Sequence, residues 1–183
     1  MTPWIIGGIV VLLLIIFISI YNRLVGARNR VDNAWAQVEV QLKRRYDLIP
    51  NLVETVKGYA SHERQTFENV TAARSAAQSA QGPAEQAQAE GFLTQALRQL
   101  FAVAEAYPEL RASENFMSLQ ADLTDTENKI QVSRQIYNDT VLTYNNMVQQ
   151  IPTNIVAAMG GFRQREFFDA GPEAETAPTV DFG

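Results

Sequence analysis

Residues 4–21 carry no charged side chain, and Ser19 is the one polar residue inside the run. Eighteen residues in a helix rise roughly 27 Å, close to the thickness of a bilayer's hydrocarbon core. Trp4 and Tyr21 stand at its two ends, where amphipathic rings prefer the membrane interface. Half of the run is isoleucine or valine, which in water would favour a strand. In lipid a lone strand leaves its backbone groups unpaired, so the run is predicted to be a transmembrane helix. A cleaved signal peptide fits poorly, because no Lys or Arg precedes the run and no small-x-small cleavage site follows it. Arg23, Arg28 and Arg30 follow closely, so the positive-inside rule predicts a stub of residues 1–3 outside and the rest in the cytoplasm. These arginines, with Trp4 and Tyr21, are the expected anchor residues.

Composition removes most catalytic chemistry. Among the 183 residues there is no cysteine and one histidine, His62. Disulfide scaffolds, thiol nucleophiles and Cys/His zinc sites are excluded, as is any Ser-His-Asp triad not built on His62. A carboxylate-bridged di-iron bundle needs Glu-x-x-His on its helices, but Tyr59 precedes His62 and no second histidine exists. Asp122, Asp125 and Glu127 are oxygen donors in principle, but acids at such spacing usually form a solvated face. A net charge of −5 and a pI near 4.9 argue against nucleic-acid binding. The expectation is therefore no enzyme, no cofactor and no metal.

Past residue 22 the apolar residues follow helical spacing. Val31, Trp35, Val38, Leu42, Tyr46 or Ile49, Leu52 or Val53, Val56, Tyr59, Phe67 and Val70 continue one stripe, interrupted only at Pro50. That proline is expected to kink the helix or end it near Asp47. An alanine-rich stretch, residues 71–81, reads as the exposed end of a long hairpin closed by Gly82-Pro83. A second helix is predicted over residues 84–107, with Phe92, Leu93, Leu97, Leu100, Phe101 and Ala104 inward. His62 is expected on an exposed helix surface.

The third helix is the clearest. From Phe116 to Ile151, steps of three and four run unbroken through Leu123, Ile130, Tyr137 and Tyr144, the signature of a left-handed bundle or coiled coil. The same seam carries Leu119 and the smaller Thr126, Ser133 and Thr140; the hydroxyls of these last three need internal partners. After Pro152, Ile155, Met159 and Phe162 suggest a short fourth helix. A sharper alternative has this segment touching the membrane through Phe162, Arg163, Arg165, Phe167 and Phe168. The fold class is all-α: a transmembrane helix at residues 4–21, an antiparallel bundle of three to four long helices at 22–168, and an acidic, disordered tail at 169–183.

Charge suggests how the bundle is tied. Residues 22–50 hold six bases against three acids, and residues 105–127 hold six acids against one base. A structural polar layer is expected from Arg44, Arg45, Asp47, Glu127, Arg134, Tyr137, Asn138 and Asp139, fixing helix register more than stability. In the tail, Val180, Asp181 and Phe182 return to apolar character and form a candidate docking motif.

The sequence resembles the LemA family of bacterial membrane-anchored proteins. The resemblance rests on Asn33-Ala34-Trp35, Arg44-Arg45-Tyr46-Asp47-Leu48-Ile49-Pro50-Asn51-Leu52 and Ala106-Tyr107-Pro108-Glu109-Leu110. It continues through Glu114-Asn115-Phe116, Leu119-Gln120, Thr126-Glu127-Asn128, Arg134, Tyr137-Asn138-Asp139, Tyr144-Asn145 and Glu166-Phe167-Phe168. It implies one N-terminal membrane helix, a cytoplasmic antiparallel bundle in the bacterial inner membrane, and no established enzymatic activity. Some such proteins are linked to organising specialised membranes, and some of their genes lie beside membrane proteases.

The functional expectation is a non-enzymatic scaffold that binds the lipid membrane, self-associates as a homo-oligomer and organises membrane assemblies. One alternative is an adaptor of another membrane protein, such as a protease, acting through the bundle or the tail. A second is a ligand-sensing bundle with a pocket around Tyr137 and Tyr144.

Overall fold

A computed structural model describes residues 2–168, with side chains from Trp4 onward. Among these residues the secondary structure is entirely helical. The helices are α1 (Thr2–Lys57), α2 (Arg64–Ser79), α3 (Gly82–Glu105), α4 (Pro108–Arg111), α5 (Glu114–Gln149) and α6 (Thr153–Met159). The tail calls at Val180, Asp181 and Phe182 lie outside the described residues.

The first helix runs for 56 residues straight through Pro50, neither stopping near Asp47 nor restarting after it. Proline has no N–H to give the carbonyl four residues back, so the Tyr46 oxygen loses its helical donor. Arg74 of α2 takes that place, its Nε donating to the Tyr46 carbonyl at 2.7 Å. A substitute donor from a neighbouring helix thus lets the proline sit inside the helix. The actual break comes eight residues later, after Lys57, where residues 58–63 turn before α2 begins. His62 stands exposed in that turn rather than on a helix.

The described chain divides into two compact units. One gathers Gln37–Gln135 with residues from Glu166 onward. There α1 contributes Val38, Leu42, Ile49, Leu52 and Val56 to a buried stripe, and α2 contributes Phe67 and Val70. Helices α2 and α3 are joined by a short turn in which Gly82 takes a φ of +79°, a left-handed conformation glycine adopts without a Cβ clash. On α3, Leu93, Leu97, Leu100 and Ala104 are buried as expected, but Phe92 lies on the outer surface at 58% exposure. Phe101 is half-buried and meets Phe116 of α5 edge-on, with ring centroids 6.2 Å apart.

The second unit comprises residues up to Ala36 and Ile136–Arg165. Leu24, Ala27, Val31 and Ala34 form the buried row of α1, and Tyr137, Val141 and Tyr144 that of α5. Trp35 packs on Tyr137 at 5.2 Å between ring centroids. Past α6 the chain reverses at Gly161, φ +68°, and lays Phe162 against Tyr21 of α1. A Cβ on Gly160 would sit 2.6 Å from the Phe162 ring, so this approach requires glycine. Asn145 then holds the returning strand with two hydrogen bonds: its Nδ2 donates to the Arg165 carbonyl at 2.9 Å, and its Oδ1 accepts from the Arg165 N–H at 2.8 Å.

Before this buried row begins, α1 is apolar on all sides. Its most apolar stretch has a mean hydropathy of 2.8 and none of it is buried, so this helix is long and apolar enough to cross a membrane. Two seam hydroxyls of α5 find their partners in their own helix: Thr126 and Thr140 each donate to the carbonyl four residues back at 2.7 Å. The face of α6 differs from expectation. Val156 and Ala157 are buried with Phe162, whereas Ile155 and Met159 are exposed.

The exchange of donors at Pro50 is testable by a double-mutant cycle. In the detergent-solubilised full chain, Arg74→Ala is expected to cost about 1–3 kcal/mol by leaving the Tyr46 carbonyl unpaired. In a Pro50→Ala background the helical donor returns, and the same change should cost about 1 kcal/mol less. Strictly additive shifts in urea unfolding would refute this account.

Candidate functional site

Arg45 and Tyr46, neighbours on α1, both turn inward to Glu90 of α3. The aliphatic stem of Arg45 passes through the core, and only 6% of the residue is exposed. Its guanidinium Nη1 lies 2.9 Å from Glu90 Oε2 and 2.9 Å from Glu127 Oε2 on α5, while Nη2 donates to Thr94 Oγ1 at 3.0 Å. The second Glu90 oxygen accepts from the Tyr46 hydroxyl. That hydroxyl in turn accepts from Gln86 Nε2 at 2.8 Å, and the same amide donates to the Ala77 carbonyl of α2 at 3.1 Å. One connected network therefore ties α1, α2, α3 and α5.

Sequence order explains this convergence. Gln86, Glu90 and Thr94 recur every four residues, so they form one row along α3 beside the apolar row of Leu93 and Leu97. Arg44 and Asp47 fall on the opposite side of α1 and are exposed. Of the Arg44-Arg45-Tyr46-Asp47 cluster, only the middle pair enters the core. Asp125 pairs with Lys129 at 2.6 Å on the surface of α5, and Asp122 is also exposed, so these acids do not converge with Glu127.

The electrostatics follow from burial. Desolvation pushes the Glu90 carboxyl above the usual glutamate range, outweighing the opposite pull of Tyr46 and Arg45. Burial also pushes the Tyr46 phenol well up, and the Glu90 carboxylate adds to that. Arg134 of α5 stacks over the Phe168 ring at 4.6 Å, and burial lowers its pKa while Glu127 and Glu90 hold it up. A cleft of about 510 Å³ opens beside the network, lined by Arg45, Glu90, Thr94, Arg98, Glu127 and Arg134 among others.

Such a network is poorly disposed to acid–base chemistry. A general base needs a free lone pair within reach of a substrate proton. Both oxygens of Glu90 are already occupied, and two of the Arg45 nitrogens are engaged. What the arrangement does is fix register: a half-turn slip of α3 would bury Glu90 without Arg45, which is costly.

The remaining sequence-selected residues lie in the other unit or on the surface. Tyr137 is buried against Trp35, Asn138 is half-buried and Asp139 is exposed. Tyr144 is fully buried, which raises its pKa. Trp4, Tyr21, Arg23, Arg28 and Arg30 are all exposed along α1. Sequence reasoning passed over Gln86, Glu90, Thr94, Arg74 and Asn145. The signal for the first three was a four-residue polar row interleaved with an apolar one.

Losing the cation is expected to be severe and specific. Arg45→Ala leaves Glu90 buried without its counter-charge and should cost about 3 kcal/mol or more. Arg44→Ala, one residue away and exposed, should stay within about 0.5 kcal/mol. Denaturant midpoints of the two variants, measured in detergent, decide this; equal losses would refute the assignment.

The LemA family matches over residues 34–182. The match starts inside α1 and continues past Phe168, so it takes in the tail and leaves the apolar span outside. The magnetosome protein MamQ 2 of Paramagnetospirillum magneticum is 26% identical over 182 residues, covering 85% of this chain and 67% of the relative. MamQ of Magnetospirillum gryphiswaldense is 26% identical over 199 residues, covering 92% and 73%. Protein LemA of Metamycoplasma hominis is 25% identical over 146 residues, covering 78% and 65%. No catalytic family is indicated by these matches. With most of its length inside the match, this chain belongs to the LemA family.

Proposed function

We propose that this protein is a single-pass, membrane-anchored, non-enzymatic scaffold whose helical bundle stands at the cytoplasmic face and self-associates or organises membrane-protein assemblies. The carrying observation is α1 itself. One unbroken helix leads from an apolar surface with no buried residue in its most apolar stretch into the buried row that begins at Leu24. Water does not tolerate such an exposed sleeve, and hydrocarbon does. Arg23, Arg28 and Arg30 follow the span directly and favour a cytoplasmic bundle near anionic lipid.

The occupied polar network supports a packing role over a catalytic one. Relatives named as magnetosome proteins support a part in assembling a cellular structure. Chemical crosslinking of the full chain in native membranes should give dimers or larger species, and a yield of monomers alone would defeat self-association. A membrane-impermeant protease added outside intact cells should leave the bundle whole. Digestion of the bundle under those conditions would reverse the orientation.

A second reading, an adaptor acting through residues 169–183, is favoured by one observation. The family match continues to residue 182, into a segment with four acids and no base. Deleting residues 169–183 should then remove heterologous crosslinked partners while membrane localisation persists. An unchanged set of partners would dispose of this reading.

A further inference from the structure

Helix α6 and the turn before it expose large apolar side chains that no described residue of the unit covers. Ile155 and Met159 are 58% and 72% exposed, and Ile151, four residues earlier, is 83% exposed. Spacing of four puts Ile155 and Met159 on one face of α6, opposite the buried Val156 and Ala157. Isolated surface apolars need no explanation, but a contiguous row at one end of a unit does.

The position of this row is set by the antiparallel run of α1 and α5. Trp35 meets Tyr137, and further down α1 a cleft has Ala27 and Arg30 facing Asp139, Thr140 and Thr143. Each step toward the N-terminus of α1 is thus matched by a step toward the C-terminus of α5. Continued to the end of α5 at Gln149, that register reaches the level of Arg23, two residues past Tyr21, where the charge-free run ends. Contacts after α6 agree: Phe162 lies 5.5 Å from Tyr21, and Gly160 is close enough that a Cβ would sit 3.2 Å from the Tyr21 ring.

Charge at this end favours one occupant. In this unit beyond the span, residues 22–36 and 136–165 carry five arginines against two aspartates. One aspartate, Asp32, is already paired with Arg165 at 2.8 Å. Arg28 lies over the Phe162 ring at 5.4 Å, beside Tyr21. Apolar side chains level with the end of a membrane span, amid an excess of arginine, match the acyl boundary and headgroups of an anionic leaflet. A helix of seven residues would bind a membrane weakly alone, but held beside an anchor it needs little affinity of its own.

We propose that α6 is a membrane-contacting foot: Ile151, Ile155 and Met159 insert into the interfacial region of the leaflet that α1 leaves. This fixes the tilt of the unit relative to the bilayer. The contact is made by the outer face of α6 and not by Phe162 or Phe168, which are buried. The inference rests on the reading of residues 4–21 as a membrane span, and the test separates the two.

Because the chain lacks cysteine, single-cysteine labelling of the full protein is clean. An environment-sensitive fluorophore is placed at Ile155→Cys, Met159→Cys, Leu13→Cys in the span, or Asn33→Cys on the exposed side of α1. Each protein is reconstituted in vesicles of phosphatidylglycerol and phosphatidylethanolamine and probed with aqueous iodide and with a lipid-borne quencher. At Ile155 and Met159 the expected result is several-fold weaker iodide quenching than at Asn33, with clear quenching from the lipid. Labels at both positions that respond like Asn33, while Leu13 is quenched from lipid, overturn the foot and leave the anchor standing. Labels shielded from both quenchers point to a second copy on this face and also overturn it. A Leu13 label open to iodide overturns the anchor, and the foot with it.

Discussion

Every other feature depends on α1 being one helix. A helix satisfies its own N–H and C=O groups, and the apolar residues 4–21 adopt one. Once those residues are helical, the cheapest continuation is more helix, because each added residue gains a hydrogen bond without a new nucleation cost. The buried rows from Leu24 to Val56 then extend the same screw as the span. The surface changes from apolar all round to apolar along one stripe, with no change in secondary structure.

Maintaining that helix needs help at one place. Pro50 removes a donor from the middle of α1, and Arg74 replaces it from α2. Four residues before Pro50, Tyr46 offers its carbonyl to Arg74 and its hydroxyl to Glu90, so one residue joins α1 to two others. Arg45 adds the link to α5 through Glu127. Apolar packing supplies most of the burial, but it is tolerant of sliding. The polar network is not, because a slip leaves buried groups without partners. The unusual Arg-Arg-Tyr-Asp-Leu-Ile-Pro sequence is explained by this division of labour: Arg44, Asp47 and Pro50 face solvent, while the adjacent Arg45 and Tyr46 turn inward and lock neighbouring helices.

The functional reading follows from the same economy. The titratable groups buried with Arg45 are committed to one another, and the exposed ones are scattered along helices. What the molecule presents outward is an apolar sleeve, an arginine-rich collar after it, and the uncovered face of α6. These surfaces are the basis of the proposed contacts with lipid and with other proteins. Family relatives at about 26% identity, among them magnetosome proteins, share most of this chain's length.

Sequence alone was enough for the all-helical class, one long apolar N-terminal helix, the limits of α3 and α5 to within about two residues, and the family. These are legible because periodicity, length and charge act locally, within a few turns of one helix. A kink or an end is expected at Pro50, and the helix does not end there: proline's local cost is visible in the sequence, and Arg74's compensation, 24 residues away, is not. Glu90 is illegible for a similar reason: an acid in a polar row beside an apolar one reads as surface until its partner at position 45 is brought opposite. Phe92 and the Ile155–Met159 row were turned the wrong way because each helix has several apolar residues, and neighbouring helices decide which ones are covered. Residue spacing fixes what lies on a common face of a helix; only packing chooses which face is inside.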